Sequence, residues 1–542
     1  QQVSRCNLNA KSATLKAGEK TTIRLQQDWL ADNLWSPDMP YLYTVKVQLK
    51  HQDNVIDDMQ TSFGFREFTI KGTDFYLNGR KTRLLRNSML TGLNADEHQA
   101  WFGDIRGGSL REAAGRPYNT IRLHLGFNNE HLIDAADQIG LMVVPESSWY
   151  HVSEYPAAAS DKYLPNLIDY FQRWVKLHRN HPSIVMWSLT NEHFWGRTGD
   201  VEMSIAKQVA QRAMQTDPTR PIQGDAEVTW NGTLPIINIH YPEGTSGDVR
   251  NVYPNSCLVI PNDLYWLKKG KLNTQAWRAE FVWDRPLVIG EYWDFGGDPD
   301  KKSSYSGDAI YDWQRWRFDK VKKSPDSPYI DVVRKSTDVY RLQGVAGLNP
   351  WSGQQEDIMP TRGTRALDFH PNFFAGEDAT RKMIIFNESA TSLVYPNLQC
   401  RIIVDGRTVW QKEVRVSGEA HNIQAVDVPI EVPQVSKPTK ATFTAMMRFW
   451  AGGAYHQMGE RHTETIYLMP RTDLSEIKRE GTVVFDSHGD TTKALTTLGM
   501  QVQGVKEITD ETLSNAKLLI VGRNTNPTPF RGKIINFAKQ GG

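Results

Sequence analysis

Ile184-Val185-Met186-Trp187-Ser188-Leu189-Thr190-Asn191-Glu192 is an apolar run that ends abruptly in an amide and a carboxylate. A run of this length, rich in β-branched and aromatic residues, reads as a strand buried on both faces, as in parallel sheets. Its polar end is then the place to look for a site. Pro286-Leu287-Val288-Ile289-Gly290-Glu291 has the same construction and ends 99 residues later. Two carboxylates at the ends of two buried strands suit acid/base chemistry, because one site can hold such a pair in different protonation states. A Glu after a strand is more often simply where the chain meets water. That reading is favoured for either run alone, and two matching runs within one alternating pattern shift the balance toward catalysis.

The chain has 542 residues, long enough for three or four domains and a sizeable core. Lys plus Arg (63) and Asp plus Glu (62) nearly cancel, which leaves no charge footprint for nucleic acid or an anionic membrane. No stretch approaches the ~20 apolar residues of a membrane span. The start at Gln1-Gln2 lacks the basic and apolar regions of a signal peptide, as if the chain began after processing or in mid-protein. Cys6, Cys257 and Cys400 are odd in number and widely spaced, which gives neither a disulfide framework nor metal-ligand spacing. The 17 Trp and 19 Tyr are numerous, and sugar clefts use such rings because pyranose C–H faces pack on them; most will still be core.

Residues 1 to about 70 alternate apolar and polar positions, as in Thr21-Thr22-Ile23-Arg24-Leu25 and Leu42 to Leu49, the pattern of an antiparallel sandwich whose opening strands are missing. Leu77-Asn78-Gly79-Arg80 follows as a hairpin, with Asn-Gly supplying the positive φ of a type I′ turn. From about residue 81 buried strands alternate with helical patterns. The strand candidates are residues 82–85, 120–124, 141–146, 184–192, 221–225, 236–240, 286–291 and 344–349; helices are read over 130–140, 164–179 and 201–214. Eight such strands point to a (β/α)₈ TIM barrel with its active site at the strands' C-terminal ends. Glu146, Glu192, His240 and Glu291 all fall there.

With these motifs in place the chain resembles glycoside hydrolase family 2, retaining β-glycosidases of TIM-barrel clan A. The link from sandwich to barrel is similar to Phe63-Gly64-Phe65-Arg66-Glu67-Phe68 through Phe75-Tyr76-Leu77-Asn78-Gly79-Arg80, and Trp35-Ser36-Pro37 is also typical. Trp187 to Glu192 resembles the acid/base strand and Gly290-Glu291-Tyr292 the nucleophile strand. The resemblance covers roughly residues 30 to 355. It implies that Glu192 is the general acid/base and Glu291 the nucleophile, with Asn191 on the sugar 2-hydroxyl, Tyr241 orienting Glu291, and Trp351 flooring the sugar subsite. Arg122 and His124 match an Arg and a His at the end of the second strand, although Arg122 also suits simple pairing with a carboxylate. His240 either lines the site or bonds locally beneath it. Glu146 reads as a hydrogen-bonding or pairing residue at the mouth. Trp195, in the aromatic and basic loop after Glu192, is placed to stack on the leaving-group sugar or to help grip an anionic one.

Two departures leave the sugar open. Arg86-Asn87-Ser88-Met89 stands after the first strand where a His is expected near the site, and the Asn-Xaa-Lys with which β-glucuronidases hold a carboxylate sugar is not evident near Glu291. The sequence thus predicts a multidomain chain: a partial β-sandwich domain (1–70), the (β/α)₈ catalytic barrel (71–374), an immunoglobulin-like β-sandwich (375–472) and a partial open α/β domain (473–542). The last segment is read β, α, β from Thr482, and its Asp486-Ser487-His488-Gly489-Asp490 is as well explained by a polar loop as by chemistry. The expected activity is retaining, exo-acting hydrolysis of β-glycosides, β-galactosidase-like as a first guess, on oligosaccharides or polysaccharide fragments. A carbohydrate is the expected partner, no metal or cofactor is called for, and the expected location is periplasmic or extracellular. The rival reading is a non-catalytic carbohydrate-binding protein with a degenerate barrel, against which the presence of both glutamates counts.

Overall fold

The structure is a computed structural model that describes residues 6–89, 118–126, 130–149, 161–193, 200–240, 242, 271–273, 278–292, 328–350, 359–367, 372–389, 391–471, 480–523 and 525–541. Within the first 70 residues β1 (Tyr43–His51) and β2 (Asn54–Phe63) form an antiparallel hairpin. The expected strand at Thr21 to Leu25 is not formed. Its alternation finds no pairing strand among the described residues, and a lone strand has no ladder to satisfy its backbone. The expected sandwich is therefore represented there by this hairpin alone. A three-stranded sheet follows: β3 (Phe68–Lys71), β4 (Asp74–Leu77) and β5 (Arg80–Thr82). Asn78 (φ 52°) and Gly79 (φ 76°) both take the left-handed conformation that the type I′ reading requires.

Eight strands then run β6 (Leu84–Met89), β7 (Thr120–Leu123), β8 (Met142–Pro145), β9 (Trp187–Asn191), β10 (Ile222–Asp225), β11 (Ile237–His240), β14 (Leu287–Tyr292) and β15 (Gly347–Pro350), with the short hairpin β12 (Lys271–Asn273) and β13 (Arg278–Glu280) between β11 and β14. Parallel ladders join β11-β14-β15-β6-β7-β8 and β9-β10. Parallel bridges Val143–Ile184 and Glu146–Ser188 link β8 to β9. β10 meets β11 through side chains, the Asn238 amide donating to Gln223 Oε1 at 3.0 Å and accepting from Ala226 N–H at 3.0 Å. Neighbour thus follows neighbour through all eight strands, from β6 to β15 and back to β6. The strands are short and apolar because both faces are covered. Helices α1 (Glu130–Ile139), α2 (Tyr163–His178), α3 (Asp200–Thr216) and α4 (Pro328–Gln343) lie between them in sequence, whereas β10 and β11 are joined by turns without a helix.

Three boundaries differ from the sequence reading. The first strand is Leu84–Met89 rather than residues 82–85, Thr82 belonging to β5, so Arg86 to Met89 continue the strand instead of following it. The Arg86 guanidinium is fully buried and paired with Asp225 at 2.8 Å, which lets a charged residue continue the strand. The eighth strand starts at Gly347, not 344, and the fourth becomes regular only at Trp187, with Ile184 held by its single bridge.

One apolar cluster fills the space between strands and helices. A second gathers Leu84, Met142, Val185, Val288 and Ala346, at or just before the strand starts, against Trp35, Phe68, Phe75 and Leu77. The β3–β5 sheet thus plugs the N-terminal end of the ring, the stabilising end of such barrels, and leaves the C-terminal end for the site. Trp35 is fully buried and donates from Nε1 to the Asp137 carbonyl at 2.7 Å.

Beyond the ring, β16 (Arg362–Ala366), β18 (Asp378–Asn387) and β21 (Asn422–Glu431) form one antiparallel layer. β17 (Asn372–Phe374), β23 (Ala454–Met469), β22 (Thr439–Ala451), β19 (Asn397–Val404) and β20 (Arg407–Arg415) form another, tied to the first by the Gly363–Glu460 pair. The two layers share a core that includes Met383, Ile385, Leu398, Ile402, Phe443 and Ile466. β16 and β17 precede residue 375, so the pairing reaches back into the stretch read as barrel. At the C-terminus β24 (Thr482–Phe485) lies between β25 (Gln503–Val505) and β26 (Leu518–Val521), all parallel, with helices α5 (Asp490–Thr497), α6 (Asp510–Ser514) and α7 (Arg531–Lys539).

Candidate active site

Polar residues at or just past the ends of several of these strands turn toward one another. Arg122, on β7, is fully buried and at the centre. It donates from Nη1 to Glu291 Oε1 (2.8 Å), from Nε to Glu146 Oε2 (3.0 Å), and from Nη2 to Glu146 Oε1 (3.1 Å) and to Asn191 Oδ1 (2.7 Å). Burial alone would lower its pKa, but Asp225, Glu146 and Glu291 together raise it above the ordinary arginine value, so it stays charged. Arg122 thus pairs with carboxylates, the simpler of its two readings, and one of them is Glu291.

Glu146 is fully buried just past β8. Besides Arg122 it faces His124 Nδ1 at 2.8 Å and accepts from Leu125 N–H (3.1 Å) and Ser188 Oγ (3.0 Å). Burial would raise its pKa; the Arg122 charge and the His124 hydrogen bond bring it below the usual carboxylate value. Glu146 is thus the pairing residue the sequence suggested, and it links Arg122 to the turn that carries His124.

Glu192 follows the last residue of β9 with φ 47°, a left-handed conformation uncommon for a non-glycine residue. The β9–β10 register shifts at this point, and Glu192 N–H donates to the Asp225 carbonyl at 3.0 Å. The side chain is half-buried, whereas Glu291 is 3% exposed. His240 connects the two: its Nδ1 lies 2.8 Å from Glu192 Oε1 and 3.5 Å from Glu291 Oε2. The Glu192, His240 and Glu291 donor atoms all lie within 4.8 Å of one another, close enough to surround a cation. Asp134, Asp137 and His181 form another such group among the described residues, where His181 Nδ1 sits 2.7 Å from Asp137 Oδ2.

Beneath this pair lies Asp225, the end of β10, to which the sequence reading gave no role. Its Oδ2 accepts from Arg86 Nη2 (2.8 Å) and Gln223 Nε2 (2.6 Å), and its Oδ1 is 2.8 Å from His240 Nε2. Burial would push this carboxyl up, but Arg122, Arg86 and His240 hold it well below the usual range. Its signal was visible, because Gly224-Asp225 ends an apolar strand as Asn191-Glu192 does. Gly290 completes the floor: a Cβ there would stand 2.0 Å from Asp225 Oδ1 and 2.4 Å from Asn238 Oδ1, so the residue before Glu291 has no room for a side chain. Asn349 on β15 donates to the Gly290 carbonyl (2.6 Å) and to Ser88 Oγ (2.8 Å), which fixes the Glu291 strand from the other side. The site therefore unites Arg122, His124, Glu146, Asn191, Glu192, His240 and Glu291. Trp195, Tyr241 and Trp351 lie outside the described residues.

Residues 68–298 match the model of the glycosyl hydrolases family 2 TIM barrel domain, and residues 1–66 match a further glycosyl hydrolases family 2 model. The chain belongs to glycoside hydrolase family 2. It is 28% identical over 263 residues to the "Putative beta-glucuronidase" of Formosa agariphila, covering 45% of this chain and 23% of that protein. It is also 28% identical over 289 residues to the β-galactosidase of Leuconostoc mesenteroides subsp. mesenteroides, covering 52% and 26%. The matched part is thus about a quarter of the length of these relatives. Among solved structures, β-glucuronidase 2 of Bacteroides uniformis, bound covalently to cyclophellitol-6-carboxylate aziridine, is similar over 85% of this chain and 54% of that one, at 15% identity and a TM-score of 0.45.

Proposed function

We propose that this family 2 member is a retaining β-glycosidase that acts in exo fashion on oligosaccharides or polysaccharide fragments. The observation that carries the reading is that one carboxylate oxygen of Glu192 and one of Glu291 lie within 4.8 Å of each other, with His240 between them, so the two carboxyl groups face each other across a short gap. Retaining enzymes hold their carboxyl groups about 5 to 5.5 Å apart, whereas inverting ones leave about 6.5 to 9.5 Å for a water. In this reading Glu291, held in place by the Arg122 hydrogen bond, bonds to the anomeric carbon while Glu192 protonates the departing oxygen. Glu192 then takes a proton from the water that releases the sugar. With its amide oxygen engaged by Arg122, Asn191 offers its NH₂ group to the sugar 2-hydroxyl. Trp195, Tyr241 and Trp351 are assigned to the cleft on the strength of the family resemblance.

The finer organisation belongs to the same proposal: a partial sandwich to about residue 70, a catalytic (β/α)₈ barrel, an immunoglobulin-like sandwich to about 472 and a partial α/β domain. The pairing of β16 with β18 favours placing the barrel's end near 360 rather than 374. A periplasmic or extracellular location fits a polymer-derived substrate. A carbohydrate-binding protein without catalysis is disfavoured by the site itself, since a degenerate barrel has no use for two glutamates held face to face by Arg122 and His240.

A panel of 4-nitrophenyl β-glycosides, including galactoside, glucoside, glucuronide and galacturonide, tests the proposal and names the sugar. Release of nitrophenol from one of them, most readily the galactoside, is expected. Binding of sugars with no release from any would favour the non-catalytic reading.

A further inference from the structure

His240 is fully buried, and each ring nitrogen faces a carboxylate: Nε2 at 2.8 Å from Asp225 Oδ1, Nδ1 at 2.8 Å from Glu192 Oε1 and 3.5 Å from Glu291 Oε2. A neutral imidazole has a single N–H and cannot donate on both sides. The two contacts therefore need an imidazolium or a protonated carboxylic acid. Asp225 is the wrong home for that proton, since Arg86 and Gln223 donate to its Oδ2 and Arg122 Nε lies 3.3 Å away. The proton belongs to the His240–Glu192 pair. Charge agrees: Glu146, Glu192, Asp225 and Glu291 face the two guanidiniums of Arg86 and Arg122, and an imidazolium adds a third positive group. Burial would push the His240 pKa down, but Glu291, Asp225 and Glu192 raise it to about 10.

We propose that Asp225 and His240 form a relay that stores the proton Glu192 delivers to the leaving group. The proposal rests on the reading of Glu192 as the acid/base. At rest His240 is an imidazolium and Glu192 a carboxylate. As substrate binds, the Nδ1–H bond breaks, its electron pair stays on the ring, and the proton bonds to Glu192 Oε1. The neutral imidazole keeps its Nε2 proton toward ionised Asp225. Glu192 passes the acquired proton to the glycosidic oxygen as the C–O bond breaks and Glu291 bonds to the anomeric carbon. In the second half-reaction Glu192 takes a proton from water as the water oxygen attacks that carbon and the bond to Glu291 breaks, its electron pair returning to the Glu291 carboxylate, and the proton passes back to Nδ1. One proton leaves with the alcohol and one is regained from water, so the cycle balances. His240 acts only through Glu192 and is a positioning residue, as is Asp225 behind it.

The test compares kcat/KM of the wild type, His240→Asn and Asp225→Asn on two β-glycosides of the sugar the enzyme accepts, one methyl and one 2,4-dinitrophenyl, across pH. The dinitrophenolate departs without a proton, so a relay defect should spare it. His240→Asn should lose roughly 10²-fold on the methyl glycoside but no more than about threefold on the dinitrophenyl one, with the alkaline limb on the methyl glycoside moved down by at least about one pH unit. Asp225→Asn should shift that limb in the same direction. Equal loss on both substrates, or an unmoved alkaline limb, overturns the relay. Should either variant fail to fold, ¹⁵N-histidine NMR of the wild type decides: both His240 ring nitrogens protonated at pH 7 supports the relay, and a singly protonated ring overturns it. Glu192→Ala is the control. If it too loses equally on both glycosides, the reading of Glu192 as acid falls and the relay with it; if it is selective while His240→Asn is not, the relay alone fails.

Discussion

Glu192 and Glu291 are chemically the same residue in different surroundings, and in the proposed mechanism that difference divides their work. Glu291 is nearly sealed from solvent and receives a hydrogen bond from Arg122 at 2.8 Å, which fixes the direction its carboxylate faces. Glu192 is more open, takes a left-handed conformation at the end of its strand and touches His240, its proton store in the proposed relay. The roles separate experimentally, because the acid matters most when the leaving group is poor and the nucleophile matters for every substrate. Glu291→Ala should be inactive throughout. Glu192→Ala should retain attack on an aryl glycoside with an acidic phenol, and added azide should speed its turnover to a β-glycosyl azide, identified by NMR of the product. An α-glycosyl azide from Glu291→Ala, with no azide effect on Glu192→Ala, would exchange the two assignments. Both glutamates were legible in the sequence because each ends an apolar run. Asp225 ends one too, but nothing local says that its partners come from β6, β7 and β11, which lie as far as 139 residues away in the chain. Arg86 was placed after the first strand for the same reason: a buried guanidinium makes sense only once its carboxylate partner on β10 is known.

At the scale of elements, short apolar strands position the site because their register is fixed on both sides. β9 is buried at every residue. Its Trp187 packs edge-on against Trp174 of α2 with ring centroids 4.9 Å apart, lies under the Arg220 guanidinium, and donates from Nε1 to Asp217 Oδ2 at 3.0 Å. Trp187→Ala should therefore cost about 3 to 5 kcal/mol, read as a lowered denaturation midpoint, because it opens a cavity and leaves Asp217 without that donor. An unchanged midpoint would mean that the strand is not locked in this way. Periodicity located every strand of the ring to within a few residues, since burial on both faces writes itself directly into composition. It failed at Thr21 to Leu25, where alternation between apolar and polar residues is a necessary condition for a strand and a pairing neighbour is the missing one.

Across the whole molecule, the ring is held from both sides by groups far apart in sequence. Trp35 reaches Asp137 of α1, and the Arg66 guanidinium donates to the Pro182 and Ile184 carbonyls below β9. On the other flank Arg83 and Arg341 both engage Glu388 of the following sheet, while Arg365 spans Asp338 and Glu460. These contacts join the elements that carry the strand starts to their neighbours and leave the C-terminal ends free to hold chemistry. These long-range ion pairs were not readable in the sequence, because each depends on a tertiary approach that no local pattern encodes. The central claim is that Glu291 becomes covalently glycosylated in a retaining reaction. Incubation with the 2,4-dinitrophenyl 2-deoxy-2-fluoro-β-glycoside of the accepted sugar, followed by mass spectrometry of a peptic digest, measures it directly. One fluoroglycosyl group on the peptide containing Glu291 is the predicted result, and turnover of the ordinary substrate with no adduct, or an adduct on another residue, would contradict it.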